Sequence, residues 1–438
     1  MSFAGLILLG LILLMLPQAA TGQRLSFIDA LFMATSATCV TGLTVIDTGT
    51  KLSLFGQITV LLLIQLGGIG ILTFSTFFIF LVIGKFSISD REIMQETFTQ
   101  LPSRNLPELL KSIFLFTFII EAIGASLLTF RFMDHLAFKQ ACYSGIFHAI
   151  SAFCNAGFSL FQNSFIGYQS DPIINLTIIF LIVAGGLGFI VLFELRNYFF
   201  KRKNRPQNIF SFHSKTVLVT SGILIISGLT IFLIFEYSNV LSSQSWKNRF
   251  FISFFQSVTC RTAGFNSVDI WSLTNSTLFF MIILMFIGAS PGSSGGGIKT
   301  TTASIVAAMF RARFNNQDDV NLANRKISEV VVSRAISVTF FSMFIIVSAT
   351  MLLMTTELGG LSHLKSRGLF LECLYEAVSA FGTVGLSTGI TASLSTAGKV
   401  IIIATMFIGR LGPLTIAIAM GKKKKNRFKY AEEKILIG

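Results

Sequence analysis

Charge is scarce in this 438-residue chain: acidic and basic residues make up only 12%, about half the share usual in soluble domains. With 53% hydrophobic residues and 47 Phe, that scarcity excludes a water-exposed surface and points to an integral membrane protein, better counted in spans of about 20 residues than in soluble domains. Patterned cysteine is missing as well. The five, Cys39, Cys142, Cys154, Cys260 and Cys373, form no CxxC pair and are odd in number, which excludes a thiolate zinc site and a disulfide framework. The four histidines, His135, His148, His213 and His363, show no HExxH pairing, and no nucleophile elbow accompanies them, so nothing points to an enzyme. No cleavable leader with a basic front is visible. Met1 to Leu16 is short for a span and has no flanking Lys or Arg, so the numbered chain is expected to begin inside a longer first helix. One glycine-rich run, GASPGSSGGGIKTTT at 288–302, resembles a phosphate-binding loop. It lacks the Lys directly after the second glycine, because Ile298 intervenes, and it follows an apolar run rather than a strand; no nucleotide is expected on this chain.

What the chain does have is basic charge in blocks. The net charge is +14, and 22 of the 34 Lys and Arg fall in 84–111, 196–215, 311–334 and 422–434. Blocks that alternate with less basic stretches are the mark of cytoplasmic loops, and Lys422 to Lys425 place the C-terminus inside. Nucleic acid is thereby excluded as the partner of this charge.

A repeat runs through the chain. The stretches SATCVTGLTVID at 36–47, SAFCNAGFSLF at 151–161, SVTCRTAGFNSVD at 257–269 and SAFGTVGLSTGIT at 379–391 align on Gly42, Gly157, Gly264 and Gly385, which are 115, 107 and 121 residues apart. The third copy holds one extra residue between its Ser and its Gly. Each copy follows a long apolar segment (3–16, 107–131, 215–237, 334–356) and a shorter amphipathic one, and precedes another long apolar segment (53–83, 173–200, 275–313, 397–420). Further glycine marks follow 24 to 28 residues later: LGGIGILTF, AGGLGFIVLF, IGASPG and IGRLGPLT. The spacing predicts an all-α membrane protein of eight transmembrane helices, in four repeats of spanning helix, pore helix and spanning helix around a central pseudo-fourfold pore. The repeats are bounded at 1–83, 84–200 with its preceding cytoplasmic loop, 201–313 with an intramembrane loop at 288–302, and 314–420; 421–438 is a basic cytoplasmic tail. Both termini then lie on the cytoplasmic side.

Non-helical backbone is tolerated at membrane depth only when buried in protein or lining a watery cavity. Four such loops must therefore meet, and a ring of their carbonyls can replace the hydration shell of a monovalent cation. Glycine suits such a loop because inward-facing successive carbonyls demand a positive φ. The expected filter residues are Cys39, Val40, Thr41 and Gly42; Cys154, Asn155, Ala156 and Gly157; Arg261, Thr262, Ala263 and Gly264; and Gly382, Thr383, Val384 and Gly385. The bland alternative is a set of re-entrant turns in a solute transporter with broken helices. Such transporters usually hold two repeats of opposite topology, whereas these four share one orientation.

The loops CVTGL, CNAGF, CRTAGF and GTVGL, together with the glycine-rich insert of the third repeat, resemble the Ktr/Trk/HKT superfamily of potassium transporters over nearly the whole chain. The likeness is greatest to the membrane subunit of the Ktr type, of the KtrB or KtrD kind. The resemblance implies a bacterial plasma-membrane protein that carries K⁺ through a pore in each subunit, and Na⁺ as an activator. It also implies a homodimer, and a cytosolic ring of RCK-domain subunits of the KtrA or KtrC kind that binds ATP or ADP. Gly42, where some plant relatives have Ser and carry Na⁺, favours K⁺. A secondary transporter coupling K⁺ to Na⁺ or H⁺ stays open as the alternative.

The third-repeat insert, Gly288, Ala289, Ser290, Pro291, Gly292, Ser293, Ser294, Gly295, Gly296 and Gly297, cannot sustain a helix and is expected to plug the path below the filter as a gate. Arg410, deep in the last helix, matches a family position that latches or bars passing cations. Lys299 is expected at the cytoplasmic mouth or as an anchor at head-group level. Arg261 is expected to turn behind the filter toward Asp269 or Asp47, and Cys39 and Cys154 to fill space. Glu121 is ambiguous, and Glu194 is expected to pair with Arg196 in solvent. The segment 311–334 and the tail are the expected docking surfaces for the cytosolic ring.

Overall fold

The structure, a computed structural model, describes residues 3–70, 106–200, 210–362 and 364–412. His363, the tail 421–438, parts of the basic blocks 84–111 and 196–215, and the predicted helix stretches beyond 70 and beyond 412 lie outside the described residues.

The described chain is almost wholly helical, and an order of helix, short helix, non-helical loop and helix is traced four times. The first unit holds α1 (Phe3–Met15), α2 (Phe27–Thr38) and α3 (Leu54–Ile69). The second holds α4 (Leu106–Phe132), α5 (Phe138–Phe153), α6 (Pro172–Leu187) and α7 (Phe189–Phe200). The third holds α8 (Phe212–Phe235), α9 (Trp246–Thr259), α10 (Asn275–Phe286) and α11 (Thr300–Phe314), and the fourth holds α12 (Glu329–Glu357), α13 (Leu369–Gly382) and α14 (Thr396–Leu411). Between α11 and α12, Asn321–Leu322 and Arg325–Lys326 pair as a small antiparallel hairpin over left-handed Ala323 and Asn324, the conformation a tight hairpin turn requires.

The burial pattern is that of a protein in lipid. Along α8 and α12 the apolar Ile223, Ile226, Phe340 and Phe344 are exposed, while Ser221 and Ser342 are buried. Among the described residues, Lys111–Phe132, Phe212–Phe235 and Glu329–Glu357 are each long and apolar enough to cross a bilayer, and Pro172–Leu187 with Phe189–Tyr198 forms a pair bent by 105°.

That bend corrects the expectation of an unbroken last helix in the second unit, whereas the break expected at 288–302 in the third is found. In the first, second and fourth units the last helix stops at a left-handed glycine, Gly70, Gly188 and Gly412, with φ of +89°, +92° and +85°. A positive φ takes the backbone out of the helical well. In the third unit α10 ends at Phe286 and helix resumes only at Thr300.

Each unit is closed by the same tie in different chemistry. A hydroxyl or carboxylate caps the N-terminus of the last helix (Ser53, Asp171, Thr274 and Ser395) by accepting backbone N–H bonds, a cap worth about 1 kcal/mol. The same residue reaches back to where the first helix ends. Ser53 Oγ donates to the Gln18 carbonyl; Arg131 Nε donates to Asp171 at 2.6 Å; Glu236 accepts from Thr274 N and Oγ1 at 2.9 Å; Glu357 accepts from Ser395 Oγ at 2.6 Å.

Candidate functional site

The four short helices α2, α5, α9 and α13 all end at the repeated loops. Their C-terminal ends therefore direct the negative ends of four helix dipoles at one place. The loops share a backbone. Val40, Asn155, Thr262 and Thr383 have φ of 56°, 59°, 66° and 49°, and Gly42, Gly157, Gly264 and Gly385, two residues on, have φ of 93°, 71°, 80° and 90°. The residue between has an ordinary φ, so left-handed, ordinary and left-handed conformations follow one another four times over. This alternation turns successive peptide planes to one side, as a ring of carbonyl ligands requires.

The loops close on one another in chain order. A Cβ added to Gly42 would meet the Ala156 carbonyl oxygen; one on Gly157, that of Ala263; one on Gly264, that of Val384; and one on Gly385, that of Thr41, none farther than 2.8 Å. Each glycine thus lies against the peptide preceding the next unit's glycine, and the fourth unit returns to the first. Beyond this ring opens a cavity of about 530 Å³, lined by the four glycines and by Asp47 and Asp269.

On the other side of the ring lies Gly288–Gly297. Three consecutive residues of it face three of the four left-handed side chains. Ser294 Oγ is 3.5 Å from the Asn155 carboxamide, a side chain on Gly295 would collide with Thr262 Oγ1, and Gly296 N–H donates to Thr383 Oγ1 at 2.9 Å. Ser294 N–H and Ser290 N–H donate to the Gly185 and Gly186 carbonyls, and Gly292 carbonyl accepts from Phe189 N–H, so the segment is seated on the break between α6 and α7. Arg410 completes the assembly by donating to the Ser294 carbonyl and to the Gly67 carbonyl on α3. Ser290, Ser294 and Ala289 are fully buried.

The later glycine marks serve two purposes that the sequence does not separate. At Gly67, Gly185 and Gly409 any Cβ would overlap the carbonyl oxygen of Thr38, Phe153 and Phe381, the last turn of the same unit's short helix. These glycines let the last helix press against the base of the loop. The glycine three residues on then breaks that helix. In the third unit Gly288 packs instead against the Gly296 carbonyl, so the swollen segment fills the space itself.

Several expected residues sit differently. Arg261 is buried, but its Nε has no hydrogen-bond partner among the described residues. The carboxylates expected to receive it are engaged elsewhere, Asp47 capping Thr50 N–H at 2.7 Å and Asp269 capping Trp271 N–H at 3.2 Å. Short polar side chains near tight turns satisfy local backbone first. Lys299 is no head-group anchor: its Nζ folds back onto the Gly295 carbonyl at 2.6 Å. Glu194 accepts from Ser211 N–H at 3.0 Å, while Arg196 donates to Ser112 and covers the Phe116 ring. Glu121 is held by Gln65 Nε2 at 3.1 and 3.2 Å, with Cys154 Sγ 4.0 Å away. Cys39 and Cys154 are buried at the ends of α2 and α5. The left-handed Val40, Asn155, Thr262 and Thr383 lay among the expected filter residues, but their conformation carries no sequence signal, since three of them are β-branched and disfavour it.

A helical membrane protein that brings four non-helical loops to one ring, with helix dipoles behind it and a packed segment beneath it, has the construction of an ion-conducting or ion-transporting protein. The chain belongs to the TrkH family of cation transport proteins, whose family model matches residues 7–430. It is 40% identical over 435 residues to Ktr system potassium uptake protein B of Bacillus subtilis (strain 168), covering 99% of this chain and 94% of that one. It is 35% identical over 438 residues to potassium/sodium uptake protein NtpJ of Enterococcus hirae, covering 99% and 95%. The solved structure of the potassium transporter TrkH from Vibrio parahaemolyticus is similar in fold, with a TM-score of 0.69 over 96% of this chain and 85% of that chain at 18% identity.

Proposed function

We propose that this chain is the membrane subunit of a bacterial potassium uptake system, with the ring of four loops as its selectivity filter. The observation that carries the reading is the cyclic closure of four loops of one backbone geometry, each glycine against the next unit's carbonyl. Carbonyl oxygens presented in that way substitute for the hydration shell of a monovalent cation. Two relatives that match the chain almost end to end are named for uptake of potassium, one of them also for sodium, which supports K⁺ as cargo; Na⁺ as an activator is a further part of the proposal. In this reading eight spans in four repeats surround the path, the cavity holding Asp47 and Asp269 opens outward, and both termini lie in the cytoplasm.

Gly288–Gly297 with Arg410 is the gate. It fills the space under the filter, and a buried cation there opposes a passing cation at short range. Lys299 closes the segment from within. The partners in this proposal are a second copy of the chain and a cytosolic RCK-domain ring that binds ATP or ADP and moves the gate, docked on 311–334 and the basic tail. Transport is driven by the membrane potential, which at 100 mV contributes about 2.3 kcal/mol per charge, or roughly fiftyfold accumulation.

The coupled alternative keeps one specific observation, the buried Glu121 carboxylate held by Gln65 behind the second loop. Flux that persists in Glu121→Gln without Na⁺ dependence removes it. The main reading is tested by ⁸⁶Rb⁺ and ²²Na⁺ uptake into proteoliposomes under a set potential, for the wild type and Gly42→Ser. A selective wild type and a less selective variant are expected; equal selectivity in both overturns the filter assignment.

A further inference from the structure

The short helices carry one more equivalence, masked by divergence. Nine residues before the ring glycine stand Met33, His148 and Glu376 in the first, second and fourth units. In the third, Thr259 donates to the Phe265 carbonyl as Ser151 does to the Phe158 carbonyl, and Gln256 stands three residues before Thr259 as His148 does before Ser151. His148 is fully buried, with Phe161 stacked on its ring at 4.6 Å and Phe132, Phe147 and Phe165 against its edges. Its Nδ1 lies 2.7 Å from the Ser144 carbonyl, which only accepts, so Nδ1 carries the proton. Its Nε2 is left to accept from the Ser159 hydroxyl at 3.0 Å and from Leu160 N–H at 3.3 Å. Glu376, equally buried, accepts from the Ser387 hydroxyl, from the Thr391 hydroxyl at 3.0 and 3.1 Å, and from Thr388 N–H.

Ser159 and Ser387 both follow their ring glycine by two residues, and Leu160 and Thr388 by three. Two unlike side chains thus make one brace, from the short helix to the strand of chain leaving the ring. The cyclic order of the loops places the second and fourth units opposite each other, so the two braces face across the axis. Both serines line the cavity beyond the glycines. The third unit has a weaker version, Gln256 Nε2 donating to Ser267 Oγ at 3.4 Å. In the first unit Met33 fills the same place, buried and apolar. Packing alone therefore does not call for a polar side chain here, and burying one is unfavourable unless its hydrogen bonds are made.

We propose that His148 and Glu376 are positioning residues for cation selection: through Ser159 and Ser387 they hold the backbone that leaves Gly157 and Gly385, and so set the opening across the ring along one diagonal. This rests on the reading of the ring as the filter. A carbonyl ring discriminates between ions only while its ligands keep their spacing and number, and two opposed braces hold one diagonal that the loops alone leave to their neighbours.

The test is ⁸⁶Rb⁺ against ²²Na⁺ uptake by proteoliposomes holding the full chain, with thermal stability measured on the same samples. Ser159→Ala and Ser387→Ala delete the braced hydroxyls without opening the core. Together they are expected to lower the Rb⁺ to Na⁺ ratio at least about fivefold with only a small fall in melting temperature, since His148 keeps Leu160 N–H and Glu376 keeps Thr391 and Thr388 as donors. His148→Gln, which retains an acceptor, is expected to keep more of the ratio than His148→Leu, which imitates the first unit. An unchanged ratio in the double serine variant overturns the proposal. Gly42→Ser, assayed alongside, separates the two failures: if it shifts the ratio and the serine pair does not, the brace falls alone, and if neither shifts it, the filter reading falls as well.

Discussion

The ring of loops and the helices beneath it are built from the same four repeats, yet they obey different rules. In the ring, four segments of different sequence converge on one backbone, with left-handed residues at equivalent places and every glycine against its neighbour's carbonyl. Beneath it the four last helices diverge. Three stop at a single glycine, whereas the third gives way to a segment from Ile287 to Lys299 that touches three of the loops and is fastened by Arg410. In the proposed reading, symmetry is kept where an ion must find equal ligands on all sides, and lost where a single element can open or close the path.

If the asymmetric segment is the barrier, removing it has the largest effect. Deletion of Ser290 to Gly297 is expected to raise ⁸⁶Rb⁺ flux about tenfold or more and to weaken nucleotide control by the proposed cytosolic ring. Flux at the wild-type level would leave the segment without a gating role. Next is damage to the symmetric part. Gly264→Ala sets a Cβ against the Val384 carbonyl at a φ of +80°, and ion selectivity is expected to fall about tenfold, read as the ratio of Rb⁺ to Na⁺ uptake. Arg410→Gln removes the charged donor to Ser294 and Gly67 while leaving the ring intact. Flux is expected to rise several-fold with selectivity unchanged, in line with roughly 1.5 to 3 kcal/mol for a charge-assisted hydrogen bond. The smallest effects concern packing. Gly409→Ala, forced against the Phe381 carbonyl, should cost about 1 to 3 kcal/mol of stability, visible as a lower Tm. Gly222→Ala on α8, with nothing within 4 Å of the added methyl, should raise stability by about 0.5 to 1 kcal/mol.

The same contrast governs how much could be read from the residues alone. Gly42, Gly157, Gly264 and Gly385 announce the ring because a positive φ in a tight circle selects glycine and leaves a mark in every copy. Val40, Asn155, Thr262 and Thr383 announce nothing. Their conformation is imposed by full burial and, at Asn155, Thr262 and Thr383, by the segment beneath them, at Val40, Thr262 and Thr383 against the local preference of β-branched residues. The later glycine marks were visible as marks, but close approach at Gly67 and helix termination at Gly70 leave the same letter in the sequence. Arg261 shows the limit of charge pairing as a guide, since Asp47 and Asp269 had nearer backbone donors to cap. The brace of His148 and Glu376 was hidden for a different reason. Its geometry recurs while its chemistry does not, so comparison of the copies by residue type passes over it.

The most direct consequence of the proposed filter is that the backbone of the four loops holds the cation. Anomalous diffraction from crystals of this protein grown in Rb⁺ tests it. A peak on the axis ringed by the carbonyls of Thr41, Ala156, Ala263 and Val384 is the predicted result. Rb⁺ ordered instead beside Glu121, or in the outer cavity alone with the ring empty, would contradict it.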